Sequence, residues 1–265
     1  TPTRVLVDAL RLGAGSSHTC AVRRNGELAC WGSNATGQLG NASTTSTNVP
    51  IPLQDLQNVK GLTLGQSHSC AFTSTGDAFC WGENFNGQLA TTGASREVLP
   101  RKCSGVSGVT AMAASNDSTC AVVANGGVVC WGKDDLGQLG KGVAGGAKNP
   151  TPTPVQGVAG ATAIAAGAEH FCALTGEGTV FCWGSNRIGQ LGSSAGGRDG
   201  GGAEIVRPTV VAGLSAVAIG AGGEHTCAVK TDDGIACWGD NGHGELGIGL
   251  SKASSSLPVA VSNFP

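Results

Sequence analysis

Short apolar runs, broken every few residues by polar or glycine-bearing stretches, set the rhythm of this chain. No apolar stripe at helical spacing lasts long enough to suggest an amphipathic helix. The segments CAVRRNGELAC, CAFTSTGDAFC, CAVVANGGVVC, CALTGEGTVFC and CAVKTDDGIAC each place two β-prone runs around a polar centre. That centre contains Gly26, Gly76, Gly126, Gly178 or Gly234, which predicts five β-hairpins. A third strand precedes the hairpins in GLTLGQSH, VTAMAASN, ATAIAAGAEH and AVAIGAGGEH. A further extended piece carries proline in VPIPL, NPTPTPV and VRPTVV and is read as the opening of the next unit. Cys20 and Val22 point to one side of their strand and Ala21 to the other. Both faces are therefore apolar, as a sheet covered on both sides requires.

The first cysteines of the five segments are spaced by 50, 50, 52 and 55 residues. A period of that size, with three to four strands per copy, predicts an all-β fold: a β-propeller of antiparallel blades. The expected organisation is one domain, 1–265, of repeats 1–48, 49–98, 99–149, 150–206 and 207–257, with 258–265 as a closing strand. A ring of five blades is favoured, with a place in a larger ring as the alternative. The tail SSSLPVAVSNFP is expected to complete the first blade, whose leading segment TPTRVLV is short. Each hairpin runs at once into WGSNATGQLG, WGENFNGQLA, WGKDDLGQLG, WGSNRIGQLG or WGDNGHGELG, and these blocks hold all five tryptophans. The W-G-x-N-x-x-G-Q-L-G pattern, preceded by a G-x-x-H-x-C-A-V-like strand, resembles the repeat of the regulator-of-chromosome-condensation family over essentially the whole chain. The resemblance implies a propeller with blades of about this length. The paired cysteines depart from the nuclear members and imply a different compartment.

Ten of the eleven cysteines form the pairs Cys20/Cys30, Cys70/Cys80, Cys120/Cys130, Cys172/Cys182 and Cys227/Cys237. A three-residue hairpin loop sets the two members opposite each other, about 4.5–5.5 Å apart, within reach of a disulfide. Disulfides are preferred; reduced buried thiols and a zinc site are the alternatives. Zinc is disfavoured because no Cys-x-x-Cys or Cys/His knuckle occurs. So many cysteines suit a secreted or cell-surface protein. The expectation is that any secretion leader has been removed, since no charged-then-apolar segment opens the chain. Cys103 is left over, read as a free buried thiol or a link to another chain. The formal net charge is −2 with scattered cations, which argues against nucleic acid, and no run reaches membrane-spanning length.

His18, His68, His170 and His225 share one repeat position, with Ser118 in the third copy. A structural hydrogen bond within each blade is preferred over a metal-binding ring of imidazoles. Asn34, Asn84, Asp134, Asn186 and Asn241, together with Gln38, Gln88, Gln138, Gln190 and Glu245, are read as turn-locking groups. Calcium ligation there lacks a dense carboxylate cluster. No nucleophile elbow or phosphate cradle appears, and GGRDGGGAE at 196–204 reads as a flexible loop, so neither an enzyme nor a cofactor is expected.

Specificity is expected where the copies differ: 41–50, 90–104, 141–154, 193–207 and 248–257. Arg96, Arg101 and Lys102 mark a candidate binding loop. Asn34, Asn41 and Asn116 begin N-glycosylation patterns. The leading functional expectation is an extracellular, non-enzymatic module that binds a protein or a glycan, within a larger assembly. The family resemblance implies an alternative, nucleotide exchange on a small GTPase. A third reading is inhibition of a secreted enzyme.

Overall fold

The computed structural model describes residues 8–193, 204–249 and 253–262. They form five four-stranded antiparallel sheets. The first contains β1 (Ala9–Ala14), β2 (His18–Arg23), β3 (Leu28–Gly32) and β4 (Thr47–Leu53). The second contains β5 (Val59–Leu64), β6 (His68–Thr73), β7 (Ala78–Glu83) and β8 (Arg96–Lys102). The third contains β9 (Val109–Ala114), β10 (Ser118–Val123), β11 (Val128–Asp134) and β12 (Gly146–Pro154). The fourth contains β13 (Ala161–Ala166), β14 (His170–Thr175), β15 (Val180–Ser185) and β16 (Glu204–Val210). The fifth contains β17 (Ala216–Ala221), β18 (His225–Lys230), β19 (Ile235–Gly239) and β20 (Ser255–Ala260). The described residues group into two compact units. One holds those up to Thr119, with Trp131–Lys133 and Ala147–Pro152. The other holds Cys120–Cys130, Asp134–Gly146 and those from Thr153 on.

The hairpins form as the spacing predicts. Arg23 N–H donates to the Glu27 carbonyl (2.8 Å), closing a three-residue loop whose last member, Gly26, has φ +83°. That left-handed corner is the usual one for a three-residue hairpin. In the fifth sheet the corner is Asp233 (φ +64°), not Gly234. Lys230 N–H donates to the Gly234 carbonyl, so Gly234 stands just past the loop, where the first sheet has Glu27. Aspartate tolerates this conformation better than most residues.

The proline-bearing pieces belong to the hairpin before them rather than the one after. Each is the fourth, outer strand of its sheet, and every described proline, Pro50 through Pro258, lies in one of these strands. Proline cannot donate to a ladder, so an edge position is where it fits. The tail therefore corrects an expectation. β20 does not complete the first blade but pairs with β19 in its own sheet, where Cys237 faces Val259, and β4 completes the first.

All five disulfides are formed, with Cα atoms 4.1 Å apart: Cys20–Cys30, Cys70–Cys80, Cys120–Cys130, Cys172–Cys182 and Cys227–Cys237. That is closer than the 4.5–5.5 Å expected, because each bridge draws its two strands together. Register places the partners directly opposite, as Cys20 faces Cys30, Cys172 faces Cys182 and Cys227 faces Cys237. The fifth bridge departs from the others in burial. Cys237 is enclosed, but Cys227 is only half-buried, so the expectation of a sheet covered on both sides fails there.

The cysteines share one face of each sheet with their neighbours two residues along, such as Val22 and Leu28. The opposite, tryptophan face carries the residue after each His, the next Ala and the Trp. In the first unit Cys20, Val22, Leu28 and Cys30 pack against Ala71 and Trp81 of the second sheet. In the second unit Cys172, Leu174, Val180 and Cys182 pack against Ala228 and Trp238 of the fifth. A fully buried Trp is worth roughly 4–6 kcal/mol of transfer free energy as an upper bound, the largest single apolar contribution to these contacts.

Candidate functional site

The repeated histidines join sheets rather than bracing their own blade, which corrects the blade-internal expectation. His18 Nε2 lies 2.8 Å from Ser69 Oγ in the next sheet, and that hydroxyl donates to the Gln38 carbonyl (2.8 Å). The Trp81 indole N–H donates to the same carbonyl (2.8 Å). The relay recurs as His68, Thr119, Gln88 and Trp131. It recurs again as His170, Thr226, Gln190 and Trp238. Because each hydroxyl spends its proton on the carbonyl, it must accept from the imidazole, which fixes the proton on Nε2. Desolvation keeps the rings neutral, lowering the His18 pKa to about 4 and the His68 and His170 pKa values to about 3. In the third repeat Ser118 replaces His and donates to the Lys133 carbonyl (2.7 Å). Phe171, where the next repeat would carry the hydroxyl, stacks on Trp183 instead. No group of three metal-ligating side chains occurs among the described residues.

The Trp-Gly blocks fold into five turns of one design. The Oδ1 of Asn34, Asn84, Asp134, Asn186 or Asn241 accepts the amide of the leucine five residues on, at 2.9–3.2 Å. The side chain of Gln38, Gln88, Gln138, Gln190 or Glu245 accepts the amide two residues back, at 2.9–3.0 Å. Lys141 Nζ sits 3.0 Å from the buried Asp134 Oδ2, off the hydrogen-bonding direction, so that pair is ionic rather than a directed bond. Between these fixed points one position is exposed in every turn, and its residue differs each time: Ala35, Phe85, Asp135, Arg187 and Gly242. The sequence reading missed this position. Its signal lay in the aligned blocks, as the residue directly after the shared Asn or Asp.

The proposed binding cations stand on strand β8, not in a loop. Arg101 Nε pairs with Glu97 at 3.1 Å, Lys102 Nζ with Asp77 at 2.8 Å, and Arg96 Nη1 reaches the Ala35 carbonyl at 3.5 Å. Asn34 is a further correction. It is buried, and its Nδ2 donates to Asn41 Oδ1, the Ser43 carbonyl and the Thr45 carbonyl, leaving no amide for a sugar. Asn41 and Asn116 are half-buried. Cys103 is buried with its thiol 3.3 Å from Cys80 Sγ, and burial pushes its pKa up. A groove of about 570 Å³ in the first unit is lined by Leu10, Leu12, Phe72 and Met112 beside Arg11 and Lys60, without a carboxylate, imidazole or thiol. The glycine-rich 196–203 stretch lies outside the described residues.

Tandem four-stranded sheets joined face to face by a repeated Trp and His relay define β-propeller blades. The Regulator of chromosome condensation (RCC1) repeat matches residues 11–38, 59–88, 109–138, 161–190 and 216–245, and the chain belongs to that family. The human E3 ubiquitin-protein ligase HERC2 is 34% identical over 119 residues, covering 43% of this chain and 2% of that protein. Yeast RCC1 (Prp20), solved bound to Kap60, superposes with TM-score 0.86 at 22% identity, over 97% of this chain and 61% of that one. The ectodomain of the Physcomitrella patens receptor kinase CR4 superposes with TM-score 0.51 at 22% identity, over 87% of this chain and 50% of that one. The chain thus spans less than two thirds of each of these three proteins, and the two structural likenesses concern the fold. An RCC1-type propeller is a binding and regulatory fold.

Proposed function

We propose that this chain is an extracellular, non-enzymatic interaction module whose Trp-Gly turns each present a variable side chain for protein binding. The observation that carries the reading is the exposed turn position, where an identical frame displays Ala35, Phe85, Asp135, Arg187 and Gly242. A scaffold that holds its backbone constant while varying one outward side chain separates stability from recognition. Phe85 is 62% exposed, an aromatic anchor of the kind enriched at protein interfaces. The five disulfides support an oxidising compartment. The occurrence of the fold in a receptor-kinase ectodomain is compatible with that placement.

The test is crosslinking of the oxidised protein to cell-surface and secreted proteins, comparing wild type with Phe85→Ser and Arg187→Glu. Loss of on the order of tenfold in capture by either variant supports the reading, since interface anchors cost more than 1 kcal/mol when removed. Equal capture by all three removes the turns from the binding surface, and retention on a glycan array alone assigns a sugar ligand. The likeness to yeast RCC1 favours a second reading, exchange on a small GTPase. Accelerated release of a fluorescent guanine nucleotide by the reduced protein would establish it instead.

A further inference from the structure

Lysine and arginine are scattered along the sequence, but the fold gathers four of them around one groove of about 220 Å³ at the hairpin end of the first and second sheets. Arg11 of β1, Arg23 and Arg24 at the β2–β3 hairpin and Lys60 of β5 line it. Asn58 and Ser74 stand beside them, and no carboxylate is among the lining residues. Both walls belong to one compact unit. Backbone bonds tie them together: Arg24 N–H donates to the Asp8 carbonyl (2.9 Å), Val59 N–H to the Gly26 carbonyl (3.1 Å) and Ser74 N–H to the Asn58 carbonyl (2.9 Å). Arg23 is engaged with Glu27 at 2.9 Å, and its Nε is buried without a hydrogen-bond partner. Arg11, Arg24 and Lys60 are exposed, and none of their side chains has an ion pair or hydrogen bond among the described residues.

The repeats supply an internal control for these three cations. Arg11 stands where the other copies carry Gly61, Ala111, Ala163 and Ala218. Arg24 stands where they carry Ser74, Ala124, Gly176 and Thr231, and Lys60 where they carry Leu10, Thr110, Thr162 and Val217. A residue that holds the scaffold recurs, as the Trp, His and Asn positions do. These three recur in no other copy, so the blade folds without them. They nonetheless meet at one place, from three separate stretches of chain. Gathering like charges without an acid raises the energy of the folded chain, and an anion bound among them removes that cost.

We propose that this groove is a binding site for a tetrahedral oxyanion, a sulfate or phosphate group, held by Arg11, Arg24 and Lys60. Cations supplied by three separate stretches of chain suit an anion with oxygens on every side better than a planar carboxylate. Guanidinium groups grip such oxygens bidentately, and Lys60 adds a point charge. The Asn58 amide and the Ser74 hydroxyl supply further donors. The groove is open to solvent, so the anion is either a free ion or an ester group on a glycan that continues outside. The site does not rest on the protein-binding reading. β3 begins at this hairpin and runs away from it to the turn that displays Ala35.

The experiment is an amide NMR titration of the oxidised protein with sodium sulfate, sodium phosphate and a heparin-derived disaccharide, against sodium chloride at equal ionic strength. Saturable shifts are expected at Arg24, Gly26, Asn58 and Lys60 with sulfate and phosphate, and not with chloride. Arg24→Gln and Lys60→Gln should each weaken sulfate binding about three- to tenfold, and the double variant should lose more. Lys148→Gln removes an exposed cation elsewhere and should bind sulfate as wild type does. All three positions are exposed, so the variants keep the fold, which far-UV circular dichroism checks. A disaccharide bound about tenfold tighter than sulfate or better assigns the ester of a glycan, and one bound no tighter assigns the free ion. An equal response to chloride, acetate bound as tightly as sulfate, shifts that rise without saturation, or full affinity in the double variant overturns the inference.

Discussion

At the scale of single residues, the buried imidazoles link stability to pH. His68 Nε2 stands 2.9 Å from Thr119 Oγ1 inside a dry contact, where burial lowers its pKa to about 3. In the unfolded chain the same ring titrates near 6.5. Above about pH 6.5 both states hold it neutral, and it adds no pH dependence. Between 6.5 and about 3 the unfolded state binds a proton the folded state refuses, so stability falls as pH falls. His18 and His170 act in the same direction. The guanidinium chloride midpoint is therefore expected to drop from pH 7 to pH 5, and His68→Ala should flatten that drop. At pH 7 the variant should also lose roughly 1–3 kcal/mol by leaving the Thr119 hydroxyl without its donor; an unchanged slope would show that other groups set it. Cys103 makes a separate prediction. Its thiol is enclosed beside Cys80, and burial favours the protonated form, which is a poor nucleophile. Iodoacetamide should leave it untouched in the native protein and modify it fully in denaturant, as read by intact mass. Native labelling would mean the contact opens.

At the scale of the hairpin and its turns, the chain carries its own control for what glycine supplies. Gly76 has φ +79°, and a Cβ there would lie 2.8 Å from the Gly108 Cα. Gly105 has φ +74°, with nothing within 4 Å of a Cβ. Gly105→Ala should cost only the left-handed penalty, roughly 1–2 kcal/mol. Gly76→Ala adds a backbone collision and should cost distinctly more; equal midpoints would refute the close approach. This difference marks where sequence reasoning stops. The hairpin, its three-residue loop and the opposed cysteines follow from local spacing, so Cys20 to Cys30 and Cys227 to Cys237 can be paired from the letters alone. The register of repeats also exposes the histidine position, yet not its partner, because Ser69 lies 51 residues from His18 and meets it only after two sheets pack. The outer strands escape local reasoning for a similar reason. Proline in VPIPL reports an edge, and an edge does not say on which side its sheet lies. Asn34 reads as an exposed acceptor because asparagine in a turn usually is one, whereas here its amide holds three groups of the following loop.

For the whole molecule, the disulfides decide the conditions under which the fold exists. Each closes a loop of ten residues' separation, worth roughly 3 kcal/mol in the chain-entropy model. The five sit in different sheets and share no partner, so their effects should add to a first approximation. Together they amount to more than about 10 kcal/mol, comparable with the whole stability of an ordinary domain, about 5–15 kcal/mol. Hydrophobic contact between faces cannot make up that loss without a larger aromatic content, and the chain has only five Trp, six Phe and no Tyr. The fully reduced chain is therefore expected to be unfolded or only partly structured at room temperature, while the oxidised chain is cooperatively folded. Trp81, Trp131, Trp183 and Trp238 provide the signal, since all four are buried and move into water together. Reduction in denaturant, followed by dilution into buffer with and without reductant, should restore the native emission and near-ultraviolet dichroism only where the sulfurs can re-pair. A native spectrum recovered under full reduction would mean the faces hold unaided. It would also remove the thermodynamic argument for an oxidising compartment, leaving a reducing one open to the chain and with it the exchange-factor reading.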